Sequence, residues 1–104
     1  MNTYPEIQIH KFQLGVLLTG IDKKFYNYII KYNIYCSCCK SLAFKGIFVD
    51  EIYLTKYNDV RVVGRCKICN SEVLRLFEFG NEEEFRNKAN KIRESINELT
   101  LLRI

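Results

Sequence analysis

The sequence predicts an α+β chain: a small antiparallel sheet carrying two cysteine knuckles, flanked by an N-terminal helix and a C-terminal helix. Three observations carry that prediction. Cys36-Ser37-Cys38-Cys39 and Cys66-Lys67-Ile68-Cys69 each contain a C-x-x-C step, and 26 residues, Lys40 to Arg65, lie between them. Short β-rich runs flank Asn58-Asp59 and recur after Cys69. From Phe85 onward, Ala89, Ile92, Ile96 and Leu99 follow at intervals of four, three, four and three, the period of one helix face.

Taken in chain order, Ile7-Gln8-Ile9-His10-Lys11-Phe12 alternates and predicts a short strand. A segment ending at Gly20 precedes a helix expected over about 21–32, where Ile21, Phe25, Ile29 and Tyr32 form the apolar face. Asp22 in its first turn and Lys31 in its last suit the helix dipole. After the first knuckle, Leu42-Ala43-Phe44 opens a strand, with Gly46 expected as a bulge. Ile52-Tyr53-Leu54-Thr55 and Val60-Arg61-Val62-Val63 predict a hairpin around Asn58-Asp59, and its second strand leads directly into Cys66. Val73 to Phe79 makes a further strand, stopped by Gly80.

The last helix is expected to start at an Asn81 cap, with Glu84 three residues on completing a capping box. Its seam, Phe85, Ala89, Ile92, Ile96 and Leu99, either packs on the chain's own sheet or forms a dimer or partner seam. Leu101, Leu102 and Ile104 extend the apolar surface of that helix.

A C-x-x-C turn aims two thiolates at one point, and two such turns supply the four sulfurs that tetrahedral Zn²⁺ prefers. C-x-x-C, a β-hairpin, C-x-x-C and a closing strand resembles a zinc ribbon, over about residues 34–80. By that resemblance and by spacing, Cys36, Cys39, Cys66 and Cys69 are the ligands of one structural Zn²⁺, and Cys38 is spare. A shifted pair using Cys36 and Cys38 is the other assignment for the first knuckle. Zinc-ribbon knuckles often read C-P-x-C-G, with glycine accepting a left-handed backbone. Here Lys40 and Asn70 stand at that position; asparagine tolerates it well, and lysine does so at a cost. Iron in a rubredoxin-like site would share the Cys₄ geometry.

Composition bounds the reading further. A chain of 104 residues with 48% hydrophobic content predicts one domain, 1–104. It divides into an N-terminal segment 1–35, a ribbon-like core 36–80 and a C-terminal helix 81–104. Small cores of this size often rely on a metal or a partner. Five cysteines, an odd count, without a secretory leader or a membrane-length apolar run, predict a cytoplasmic protein whose thiols stay reduced. Its Ile-, Asn-, Lys- and Tyr-rich composition suits an AT-rich genome, and with the small size a phage or mobile-element origin.

Catalysis is not expected. Four sulfurs close a metal's coordination sphere and leave no place for water. His10 is the sole histidine and reads as an ordinary side chain, so no Ser/His/Asp set exists, and no phosphate-binding glycine loop appears. Function is then expected on the surface. The formal net charge is +4. Residues 36–75 carry seven bases against four acids, whereas 82–104 balance at five each. Alternation puts Arg61, Val63 and Arg65 on one strand face; Lys40, Lys67 and Arg75 project nearby, with Tyr53 and Tyr57 available to stack on bases. The preferred expectation is therefore nucleic acid, or a nucleic-acid-processing complex, bound through a basic sheet face. The other expectation is an adaptor or inhibitor that grips a larger enzyme through apolar helix surfaces, or a homodimer through Phe85, Ile92, Ile96 and Leu99.

Overall fold

The computed structural model describes the backbone of residues 4–102 and the side chains of residues 4–96. Strand β1 (Ile7–Ile9) leads into α1 (Lys11–Leu17) and α2 (Gly20–Tyr32). A two-stranded ribbon, β2 (Tyr35–Cys36) and β3 (Ser41–Leu42), follows. Then come β4 (Ile47–Leu54), β5 (Val60–Cys66), β6 (Glu72–Phe77), a 3-10 turn at Phe79–Asn81 and α3 (Glu83–Leu102). The larger sheet has the order β1-β4-β5-β6 and is antiparallel throughout. The α+β class is as the sequence predicts.

Strand β5 sets the sheet's two faces. Val60, Val62 and Cys66 are fully buried, while Arg61 and Val63 are half-buried and Arg65 is exposed, the alternation expected of its sequence. Against the buried face pack Leu14, Leu17 and Leu18 from the first helical segment, Ile29 from α2, and Phe85 and Ala89 from α3. Phe77, Phe79 and Phe85 continue this core, with Phe77 and Phe79 stacked at 5.6 Å and Phe85 tilted against Phe79 at 5.3 Å.

Five local expectations need correction. The strand expected over Leu42-Ala43-Phe44 is only β3, ending at Leu42, because the chain turns at Phe44–Lys45 before β4, where the Gly46 N–H donates to the Ala43 carbonyl (2.8 Å). Strand β1 ends at Ile9, because the His10 N–H donates to Gln13 Oε1 (2.7 Å) and starts α1. The bulge lies at Asp50, where pairing slips between Val49 and Glu51, and not at Gly46. Gly46 instead takes a left-handed backbone (φ 84°) in the turn before β4. Opposite the bulge region stands Gly64, where a Cβ would come within 2.2 Å of the Phe48 carbonyl oxygen.

Helix α2 starts where expected, capped by Thr19, whose hydroxyl accepts from the Asp22 N–H at 3.3 Å. It is rotated from the predicted face. Asp22 and Ile29 are buried and Tyr26 and Ile30 partly so, whereas Ile21 and Tyr32 look outward and Phe25 is half exposed, its ring edge-on to Phe77 and Phe79. Helix α3 begins at Glu83, not after an Asn81 cap. Phe79 is locked in the aromatic core and the Gly80 N–H is held by Asp59 Oδ1 (2.9 Å), so the chain completes a 3-10 turn first. The Glu82 carbonyl then takes the first bond of the helix, from the Arg86 N–H.

Candidate metal centre

The first knuckle is pinched off by its ribbon. Cys36 pairs with Ser41 and Tyr35 with Leu42, and the Ala43 N–H donates to the Ile34 carbonyl at 2.7 Å. The second knuckle is the turn between β5 and β6, closed by Cys66 N–H to the Ser71 carbonyl (2.9 Å) and Asn70 N–H to the Cys66 carbonyl (2.8 Å). A bond from the Lys67 N–H to the Gly46 carbonyl (3.1 Å) ties this knuckle to the chain entering β4. Lys40 (φ 55°) and Asn70 (φ 64°) both adopt the left-handed backbone foreseen for the residue after each pair.

These turns bring the Sγ atoms of Cys36, Cys39, Cys66 and Cys69 within 4.8 Å of one another. Across the knuckles, Cys36 Sγ lies 3.4 Å from Cys69 Sγ and Cys39 Sγ lies 4.0 Å from Cys66 Sγ. All four thiols are free, and Cys36 and Cys66 are buried. Backbone donors turn toward the sulfurs: Cys39 N–H to Cys36 Sγ at 3.5 Å and Ile68 N–H to Cys66 Sγ at 3.4 Å. Among the described residues this is the one cluster of His, Cys, Asp or Glu side chains able to hold a metal ion. Cys38 is exposed and stands outside it, which favours the C-x-x-C assignment over the shifted pair.

The crowding also orders the protons. Hydrogen bonds from Ser71, by side chain and backbone, bring the Cys69 thiol down to about 6. Cys39 is pushed up to about 12, first by its hydrogen bond with Cys69 and then by burial. The Ser71 hydrogen bonds thus favour the thiolate form of Cys69, the form a metal takes.

The expected basic face is less uniform. Arg61 pairs with Glu6 (2.9 Å) and lies over the Tyr53 ring, whose hydroxyl donates to Glu51. Arg65 holds Asp50 through two nitrogens (2.9 and 3.0 Å) and donates to Asn70 Oδ1 (3.0 Å). Lys67 lies over Phe48 at 5.3 Å. Arg75 is on the other face. It pairs in register with the buried Val62 and donates to the Asn33 carbonyl at 3.3 Å. Tyr57 is exposed with Lys56 over its ring, and Lys40 is exposed at the opposite knuckle. The structure thus gathers Arg61, Arg65 and Tyr53, but together with Glu6, Asp50 and Glu51.

Of the expected helix seam, Phe85 is 2% exposed and sits in the chain's own core beside Ala89; Ile92 packs partly against it. Ile96 is half-buried. Leu99 lies outside the residues whose side chains are described.

Two features escaped the sequence reading. On α2, Ile21, Phe25, Tyr28 and Tyr32 recur at intervals of four, three and four and are 82%, 48%, 55% and 54% exposed. That spacing was legible; its outward orientation was not. Residues 7–49 also carry six lysines against the single acid Asp22, which is itself buried. No helix among the described residues is long and apolar enough to cross a membrane. Comparisons with protein-family models, with curated proteins and with solved structures return no match.

Proposed function

We propose that the chain is a small, non-enzymatic, zinc-stapled binding module whose partner is a protein. Four sulfurs around one Zn²⁺ at about 2.3 Å would lie about 3.8 Å apart. Cross-knuckle separations of 3.4 and 4.0 Å, inside a cluster bounded at 4.8 Å, bracket that value. Zinc would join the β2–β3 ribbon to the β5–β6 turn and offset two of the four thiolate charges, leaving the site at about −2. With all four positions filled by sulfur it would stabilise the fold, worth an apparent ~10–16 kcal/mol in small zinc peptides.

The observation that carries the choice of partner is the outer stripe of α2. Ile21, Tyr28 and Tyr32 stay largely in water on one helix face, with Phe25 between them half exposed and edge-on to Phe77 and Phe79, an arrangement that surfaces of monomeric proteins rarely sustain without use. The sheet's arginines, by contrast, are divided between two faces and already engaged, Arg61 and Arg65 by carboxylates and Arg75 by the Asn33 carbonyl. A second reading, nucleic-acid binding, draws on the lysine excess of residues 7–49.

Two measurements test this. Native mass spectrometry of protein purified without added metal should give one zinc per chain; bound iron or no metal would reject the staple. A photo-reactive amino acid at Tyr28, irradiated in cells, should form a discrete protein adduct. Nucleic-acid adducts, with oligonucleotide binding that weakens steeply as salt rises, would instead establish the second reading.

A further inference from the structure

Strand β4 is eight residues long, yet β1 pairs only with its last three, Ile52–Leu54. The chain turns away at His10 to start α1, so among the described residues Ile47–Glu51 has no strand on that side. Backbone direction alternates along a strand, so every second residue of this stretch turns its N–H and C=O outward, unpaired within the sheet. Facing this edge is α2. Between them runs a cleft of about 420 Å³, with Tyr26 and Ile30 on the helix side and Ile9 and Ile47 on the sheet side.

The charges at the cleft are unevenly engaged. Asp50 is held by Arg65, and Glu51 accepts from Tyr53. Lys11 and Lys67 line the same cleft, and neither has a carboxylate partner among the described residues. What the cleft offers is an open strand edge, an apolar floor and two available cations.

We propose that this cleft takes an extended, acidic segment of a partner protein, which adds to β4 as a further strand at Ile47–Glu51. The mode is strand addition: main-chain bonds supply affinity and the floor and rim select side chains. Five residues of β4 span about 17 Å, so the docked segment is about five residues long. A second copy of this chain fits poorly. Its own open edge stands beside the same two lysines, so two copies would bring like charges together, and Tyr26, Asn27 and Ile30 of α2 stand against the edge where a second sheet would have to approach. The proposal rests on the protein-partner reading and adds to the outer stripe of α2 a second contact, in the cleft lined by Tyr26 and Ile30.

The test uses the full zinc-loaded chain, labelled with ¹⁵N, and two blocked peptides, acetyl-Val-Glu-Val-Glu-Val-Glu-Val-amide and its counterpart with lysine for glutamate. The acidic peptide should shift the amide signals of Ile47–Glu51 and of Tyr26 to Ile30 and slow hydrogen exchange at the β4 edge. The lysine peptide should not. The exposed double variant Lys11→Glu/Lys67→Glu, confirmed to keep its zinc, should weaken the acidic peptide several-fold and admit the lysine peptide. No shift at millimolar peptide, or shifts confined to the Ile21–Tyr32 outer stripe, would overturn the cleft assignment while leaving the cross-linking result at Tyr28 to decide the class of partner. Equal response to both peptides would overturn the acidic specificity on which the proposal rests.

Discussion

Arg93 Nε donates to Asn58 Oδ1 at 2.9 Å, joining the last helix to the hairpin turn 35 residues earlier. Both side chains are buried, and Asn58 holds a left-handed backbone (φ 63°) at the turn. The same guanidinium donates to the carbonyls of Thr55 (2.7 Å) and Pro5 and lies over the Tyr4 ring. Asn58 Nδ2 in turn donates to Asn90 Oδ1. One cation therefore fastens the hairpin tip, the N-terminal strap and α3 to one another.

Removing that cation leaves the Asn58 oxygen and two carbonyls without their donor. Arg93→Ala should destabilise the protein by roughly 2–4 kcal/mol, from hydrogen bonds to a charged group and the exposure of unmet acceptors. Arg93→Lys should recover little, since an ammonium cannot span three acceptors in the plane of a guanidinium. Urea unfolding with the zinc content held constant measures both. A loss below about 0.5 kcal/mol, the scale of ordinary surface changes, would show that the network contributes nothing.

The two left-handed positions after the knuckles should respond differently to glycine. Lys40 is exposed and has a Cβ in a conformation that costs about 1–2 kcal/mol for a residue other than glycine. Lys40→Gly should therefore raise stability, by roughly 0.5–1 kcal/mol after the extra freedom of the unfolded chain is counted. Asn70→Gly should be neutral or unfavourable, because Asn70 Oδ1 accepts from Arg65 and that bond disappears. Thermal melts of the two variants side by side distinguish a backbone effect from a side-chain one.

How far the sequence reaches is visible in these same residues. The clustering of four cysteines, the hairpin and the left-handed backbone at Lys40 and Asn70 were legible, because each depends on spacing within a few residues. Arg93 was not. A buried arginine is recognised by its acceptors, and these come from residues 5, 55 and 58, which only the fold assembles. The rotation of α2 was hidden for a related reason. Its apolar residues cover more than one face, and only packing of Ile29 against the core selected which face turned inward. The paired charges of Arg61 and Arg65 likewise depended on Glu6 arriving near β5 and on the bulge at Asp50.

Loss of the metal should act on the two-knuckle region first. Cys66→Ser removes a buried sulfur that anchors the second knuckle, and both it and chelation should melt the structure over 36–77. Cys38→Ser should shift stability by no more than about 0.5 kcal/mol, as its side chain is exposed and outside the sulfur cluster. Circular dichroism against temperature, with zinc measured in each sample, checks the pair. An unchanged melt for Cys66→Ser would refute the staple, and a zinc loss in Cys38→Ser would transfer the ligand role to Cys38.

Alkaline pH probes the wall of the β4–α2 cleft. Burial pushes the Tyr26 hydroxyl up to about 12 from an ordinary 10.0. The folded state thus favours the neutral phenol more than the unfolded chain does. Its contribution is fully present below pH 10 and is lost as pH rises from there through about 12. Tyr26→Phe cannot ionise, so its stability should fall less steeply than that of the parent across this window. Melting temperatures at pH 9, 10, 11 and 12 give the two slopes, and the tyrosinate absorbance should lack its latest-titrating component in the variant. Parallel slopes would mean that the Tyr26 hydroxyl is solvated in the folded protein, and that the cleft is open to water at its helix wall.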